Sequence, residues 1–368
     1  MNPQQRNVSL DCFRGIFAII VAVGHFYFFA QMRDVIPRSF VLAVDFFFVL
    51  SGFVLTKSIL RSKIEGNQWF AGFIEKRIYR IFPVFFLAVI IELIVKKITG
   101  YVPWPTSFDV FKTITLTQLF PFNSASAFSI SAVKIGWSIS AEFWVGLLFF
   151  PLMYALKDRF RYILVPALTI LSIILVVIIN RHSPEFMDVH YKVVGEVPYG
   201  FIRVIIGFSL GAVVATTDAA KSLSSIKASI IQVFSIVAMI YMYTSTSYNR
   251  ENDYIAPFLF ALFIFSLSSN KGIVCQATRN NVGDFLGKIS YPAYLIHPTV
   301  LLVYYKMGWQ VNQPFQLLSY LTIVLVASYA IHVTVEQRFI DYISAKQRSA
   351  RAEKHQAEAP AENAKGIA

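Results

Sequence analysis

A few ionisable side chains sit inside long apolar blocks of this chain: Arg14, His25, Asp45, Glu92, Glu142, Arg203, His297, His332 and Glu336. A charge at mid-bilayer costs at least about 2.5–3.5 kcal/mol on insertion scales, so each needs a reason. His25 is the group best suited to chemistry at depth. A neutral imidazole tolerates an apolar surrounding and can accept a proton there, which makes it a candidate general base. Arg14 and His25 are eleven positions apart. At 100° per residue that is three turns plus about 20°, so they share one helix face with roughly 16 Å of rise between them. Asp11 joins the same stripe, three residues before Arg14. The competing reading is a histidine hydrogen-bonded between helices, with Arg14 snorkelling to the interface.

Other groups have two readings each. Asp45 lies near the outer end of its apolar block, where it either pairs structurally or binds an acceptor and orients a base. Arg77 and Arg80, at i and i+3, are neighbours on one helix face. Paired guanidiniums suit phosphate or pyrophosphate, but they also serve as an ordinary basic anchor. Glu142, in Trp137-Ser-Ile-Ser-Ala-Glu142, sits one to two turns into the next block. It is expected to pair with His25 or Arg203, either as the third member of a triad or as a structural ion pair. His297 precedes Pro298, whose ring should kink the helix; the imidazole lines a cavity or packs in the core. His332 and Glu336, at i and i+4, read as a structural pair. Glu92 has no evident partner. Trp104 and Trp137 could stack on a sugar ring, although interface anchoring is the commoner use. No His, Cys and carboxylate cluster has metal-ligand spacing, and no metal is expected. No glycine-rich phosphate loop, serine elbow or cysteine nucleophile motif appears.

The elements that must position these groups follow from composition. The 368 residues are 56% hydrophobic and 15% charged, against about 25% charged in soluble domains. That excludes a disordered chain, a coiled coil and an ordinary cytosolic enzyme. The net charge of +12 lies in short clusters between apolar blocks, which points to a membrane and away from nucleic acid. Cys12 and Cys275 read as two unpaired structural thiols. A spanning helix needs about 20 apolar residues. Ten segments qualify, near 13–31, 40–56, 81–98, 137–156, 162–179, 198–216, 228–245, 255–269, 287–306 and 315–335. With the N-terminus inside, 22 Lys and Arg fall on the cytoplasmic side and 10 on the other, which favours both termini cytoplasmic. Lys96 and Lys97 conflict locally with this.

The expected fold is therefore all-α: a polytopic integral membrane protein of about ten transmembrane helices. Residues 1–345 form the transmembrane domain and 346–368 a disordered cytoplasmic tail. Gln68–Ile81, with Trp69, Phe70 and Phe73 among Lys76, Arg77 and Arg80, reads as an amphipathic helix lying on the membrane. Residues 100–136 and 181–197 are external and expected to shape acceptor choice.

The motifs together resemble the acyltransferase-3 family of membrane proteins. Arg14 followed by His25, Val44-Asp-Phe-Phe-Phe-Val-Leu-Ser-Gly-Phe53, Arg77-Ile-Tyr-Arg80-Ile-Phe-Pro83, Trp137-Ser-Ile-Ser-Ala-Glu142 and Ser290-Tyr-Pro-Ala-Tyr-Leu-Ile-His297 stand in the family's order. The resemblance implies transfer of an acyl group, usually acetyl, from cytoplasmic acyl-coenzyme A to a hydroxyl of an extracytoplasmic or lipid-linked glycan. It places the protein in a bacterial inner membrane. On that reading His25 is the base, with Arg14 and Glu142 beside it in catalysis. Arg77, Arg80 and Arg14 hold the donor, and Asp45, Trp137 and His297 lie on the acceptor side. A transporter or flippase of a glycan or lipid precursor is the alternative, since ten spans with buried charges also permit it. Neither reading fixes the oligomeric state.

Overall fold

The computed structural model describes residues 7–29, 38–62, 67–100, 104–120, 135–156, 159–182, 193–194, 197–244, 250–307, 314–346 and 349. The chain is a helix bundle. In order it contains α1 (Val8–Phe29), α2 (Ala43–Arg61), α3 (Asn67–Ile98), α4 (Ser107–Ile114), α5 (Gly136–Ala155), α6 (Val165–His182), α7 (Tyr199–Thr216), α8 (Ala219–Ser222), α9 (Ser225–Thr244), α10 (Ala256–Ser268), α11 (Ile273–Thr278), α12 (Asn281–Lys306) and α13 (Pro314–Ile331). A two-residue antiparallel ladder joins Val193–Val194 to Val197–Pro198 before α7. Lipid offers no partner to backbone N–H and C=O groups, so apolar runs of this length fold as helices that satisfy themselves.

All ten expected segments fall on helices. Among the described residues, eight helices are long and apolar enough to cross a membrane. The expected spans at α10 and α12 are not among them. α10 has 13 residues, about 20 Å of rise, and α12 carries Asp284, Lys288 and two internal prolines within its 26 residues. The chain is a multi-pass membrane protein. α7 is its central helix, with 78% of its apolar window inside the bundle, whereas α6 buries 17% and faces outward.

Two parallel helix pairs organise the interior. α2 and α7 run side by side in the same direction. A Cβ on Gly52 would lie 2.5 Å from the Phe208 carbonyl oxygen, and one on Gly207 2.5 Å from Phe48 Cβ. Small residues at such a crossing let the backbones close. Near the first turns of the two helices, Asp45 and Arg203 form a doubly hydrogen-bonded ion pair, Nη2 to Oδ2 at 2.6 Å and Nε to Oδ1 at 3.2 Å. Each is 1% exposed. Arg203 Nη2 also donates to the Val41 carbonyl at 3.3 Å, and its guanidinium lies 5.1 Å from the Trp137 ring centroid. The second pair is α1 with α12, in contact from Arg14 with Gly287 and Ser290 to His25 with His297. Gly15 packs against the Leu286 backbone in this seam.

Several expectations change. Gln68–Ile81 is not a separate surface helix. It is the first part of the continuous 32-residue α3, and it packs antiparallel along α5: Trp69 stacks on Tyr154 at 4.0 Å and Phe73 lies 6.1 Å from Phe150. Those rings gain more by covering α5 than by lying in the interface. Pro298, expected to kink its helix, lies with Pro292 inside the continuous α12. Lys96 is 2% exposed and pairs with Glu92 at 3.0 Å, and Thr299 donates to Glu92 at 3.2 Å. The apparent positive-inside conflict at Lys96 is thus a buried ion pair, and Glu92 has its partners. His332 and Glu336 pair as expected, at 2.7 Å, in a π-type turn that extends α13. Both cysteines are buried and free. Burial pushes the Cys275 thiol, in the α10–α12 connection, above its ordinary value. Residues 121–134, 183–192 and 350–368, which include most of the expected tail, lie outside the described residues.

Removing one member of a buried ion pair costs about 3–5 kcal/mol, while replacing both with apolar groups is often neutral. Asp45→Asn should therefore lower the thermal midpoint of the purified protein strongly. The double change Asp45→Leu with Arg203→Met should restore most of the loss. A stable single variant would show that α2 and α7 do not depend on the pair.

Candidate functional site

The α1–α12 seam brings together two imidazoles that the sequence placed 272 residues apart. His25 Nδ1 lies 3.1 Å from the Val21 carbonyl oxygen and 3.1 Å from His297 Nε2. His297 Nδ1 lies 3.2 Å from the Ala293 carbonyl oxygen. The ring centroids are 5.0 Å apart. Carbonyl oxygens only accept, so both Nδ1 atoms carry protons. His297 Nε2 is then an acceptor, and the His25 Nδ1–H points at it. In a neutral His25 this leaves the lone pair on Nε2. One neutral tautomer assignment satisfies these three contacts. His297 is fully buried and His25 partly exposed. Tyr320 donates its hydroxyl to the His297 carbonyl at 3.2 Å, which ties α13 to the same place.

Arg14 sits three turns before His25 on α1 and grips the start of α12. Its Nε donates to Ser290 Oγ at 2.7 Å, its Nη2 to the Gly287 carbonyl at 2.8 Å, and its Nη1 meets Asp11 at 3.2 Å. All three guanidinium nitrogens are engaged, and two of them join α1 to the start of α12.

Glu142 does not meet His25 or Arg203. Its Oε1 accepts from Ser51 Oγ at 2.9 Å and lies 3.6 Å from Arg77 Nη2. Arg77 Nη2 also donates to the Glu142 carbonyl at 2.5 Å. Arg77 is 7% exposed and Glu142 28%. Arg77 therefore points into the α3–α5 interface, while Arg80, one turn on, is exposed. The two arginines share a stripe of the sequence but not a surface. Asp45, expected near an acceptor, gives both carboxylate oxygens to Arg203. Trp137 is partly buried between Arg203 and Phe48, 6.2 Å from the latter ring. Next to it Ser138 Oγ is 2.6 Å from the Tyr294 hydroxyl, one turn before His297.

Outside the spans, Thr106 and Asp109 form a reciprocal N-terminal cap on α4. Burial opposes ionisation of Asp109, but its hydrogen bonds to Thr106 and Lys112 outweigh that and hold its carboxyl below the usual range. The Leu116 carbonyl accepts from Ser140 Oγ and, at 2.9 Å, from Trp144 Nε1, which fastens the α4 segment to α5 beside Glu142. Among the described residues, no group of three His, Cys, Asp or Glu side chains could hold a metal ion.

Among the contacts that escaped the sequence reading are His25 with His297, Arg77 with Glu142, Asp45 with Arg203 and Glu92 with Lys96. The first had a signal. Both histidines lie ten to twelve residues into odd-numbered segments, which run the same way through the membrane.

With this arrangement established, its relatives can be named. A family model for the acyltransferase domain matches residues 7–334. The chain belongs to that family, acyltransferase-3. It is also similar to "Protein 2 in picA locus" of Rhizobium radiobacter, with 38% identity over 88 residues. That stretch covers 24% of this chain and 44% of the relative's length. No solved structure matches.

A Cβ on Gly146 would lie 2.7 Å from Arg77 Nη2, so Gly146→Ala should push the guanidinium off Glu142. A loss of about 1–3 kcal/mol is expected, the range for overpacking. Combined with Arg77→Ala, the loss should be smaller than the sum, as for any two changes acting through one contact. Thermal unfolding of the four proteins measures this. Additive losses would mean that Gly146 matters for another reason.

Proposed function

We propose that this protein is a membrane O-acyltransferase that moves an acyl group, acetyl in the simplest case, from cytoplasmic acyl-coenzyme A to a hydroxyl of an extracytoplasmic or lipid-linked glycan. It acts in a bacterial inner membrane with both termini in the cytoplasm. The observation that carries the reading is the contact of His25 Nδ1 with the Val21 carbonyl and with His297 Nε2, each at 3.1 Å. With Nδ1 donating there, Nε2 of a neutral His25 has the lone pair that a general base needs.

The proton balance closes on this one residue. The acceptor hydroxyl gives its proton to His25 Nε2 while its oxygen attacks the thioester carbonyl. The tetrahedral intermediate collapses, the coenzyme A thiolate leaves, and the imidazolium returns the proton to sulfur. Such base help is worth about 10²–10⁴-fold in rate. Arg80, exposed on the first part of α3, takes the donor phosphates. Arg77 supports it by joining α3 to α5 through Glu142. Arg14 holds α12, and with it His297, against α1. Asp45 and Trp137 act through Arg203, shaping the acceptor end of the bundle. Membership of the acyltransferase-3 family supports the reaction class and disfavours the transporter reading.

Membranes containing the protein, incubated with acetyl-labelled coenzyme A, should transfer label to a glycan fraction. His25→Ala should abolish the transfer with insertion unchanged. Arg80→Ala should raise the apparent KM for the donor severalfold with little change in kcat, the signature of lost ground-state binding. Transfer by the His25 variant would refute the base role. Movement of unmodified glycan without label would favour the transporter.

A further inference from the structure

We propose that His297 is the positioning residue for His25: a neutral imidazole that does the work a carboxylate does behind the histidine of a hydrolytic triad. The inference rests on the reading of His25 as the base. His297 Nε2 lies 3.1 Å from His25 Nδ1, reaching it from a neighbouring helix. Glu142, expected to orient His25, is held by Arg77 and Ser51. His297, expected on the acceptor side, is fully buried and so placed to act through another group.

The geometry explains why an imidazole suits the task. A general base keeps its direction only if its other nitrogen is anchored. His25 Nδ1 has two acceptors at 3.1 Å, the Val21 carbonyl and His297 Nε2. The Val21 oxygen stands four residues back on the same helix, where it also serves the helix ladder. It is a shared acceptor and moves with His25. The lone pair of His297 comes from another helix, and α12 is itself fixed by Arg14 below and Tyr320 beside it. It therefore fixes the ring relative to the bundle rather than to its own helix. The Ala293 carbonyl orients His297 in turn. This makes a relay of orientation: Ala293 carbonyl, His297, His25, reacting hydroxyl. A carboxylate in the same place would put a permanent charge in the apolar interior, at a desolvation cost of several kcal/mol. Neutral His297 avoids that. When His25 gains the hydroxyl proton, its Nδ1–H becomes a charge-assisted donor and the bond to His297 Nε2 strengthens. The pair thus favours the reacting state over the resting one, the condition for faster turnover as opposed to tighter binding.

The experiment compares His297→Leu, which removes the acceptor and keeps an apolar filling, with His297→Gln, whose amide oxygen can accept from His25 Nδ1. Both are assayed in membranes with acetyl-labelled coenzyme A at varied concentration, with the amount of protein normalised. The leucine variant should lose about 100-fold in apparent kcat with the donor KM within about twofold, as expected when the lost contact acts at the reacting state. The glutamine variant should recover at least about tenfold of that, since an orienting acceptor is restored. Should the leucine protein fail to elute as one species after solubilisation, His297→Met takes its place in the comparison. Three results would overturn the inference: near-normal kcat in the leucine variant, no advantage of glutamine over leucine, or a loss confined to the donor KM. His25→Ala is run alongside. If it is inactive while His297→Leu is near normal, the positioning role alone falls. If it is active, the base reading falls as well.

Discussion

A lipid interior admits a charged side chain when a partner neutralises it, and an imidazole when nothing needs to. That constraint sorts the polar groups of this bundle. Asp45 is closed on Arg203, Glu92 on Lys96, and Glu142 on Arg77. These pairs join helices and set their relative positions. The two histidines at the α1–α12 seam meet at 3.1 Å. On the proposed mechanism, chemistry that moves a proton at depth falls to them, because an imidazole can change charge without having carried one at rest.

The close contacts of α1 with α12 and of α2 with α7 serve the same end. Both are parallel pairs brought together by small residues, Gly15 in one and Gly52 and Gly207 in the other. The ion pair near the start of α2 and α7 keeps Trp137 in place through Arg203. Ser138, next to Trp137, reaches Tyr294 on α12. A chain of contacts therefore runs from the central α7 through α5 to the turn that bears His297. Disturbing Asp45 would reach the imidazoles through packing, without a ligand at Asp45 itself.

Much of the architecture was legible in the sequence. Apolar blocks mark helices because the solvent for those blocks is lipid, and all ten blocks proved helical. The family order of Arg14, His25, Arg77, Arg80, Glu142 and His297 was legible too. Partners were less so, because pairing across helices depends on depth and facing, which composition does not encode. Asp45 and Arg203 each lie five residues into an outer-starting segment, and that equal depth was a usable signal. Arg77 was hidden by a boundary: beginning the third span at residue 81 left its guanidinium in a surface helix, when α3 actually starts at Asn67. Of the aromatic residues that suggested an interfacial helix, Trp69 and Phe73 pack on α5, while Phe70 is exposed.

In the proposed mechanism the donor's acyl carbon and the acceptor's hydroxyl meet beside His25 Nε2. An experimental structure of the protein with a non-transferable acetyl-coenzyme A analogue tests it most directly. The expected complex has the analogue's carbonyl next to His25, the nucleotide near Arg80, and the His25–His297 contact intact. An analogue bound with its carbonyl on another helix pair, or a His25 ring turned so that Nε2 faces His297, would contradict it.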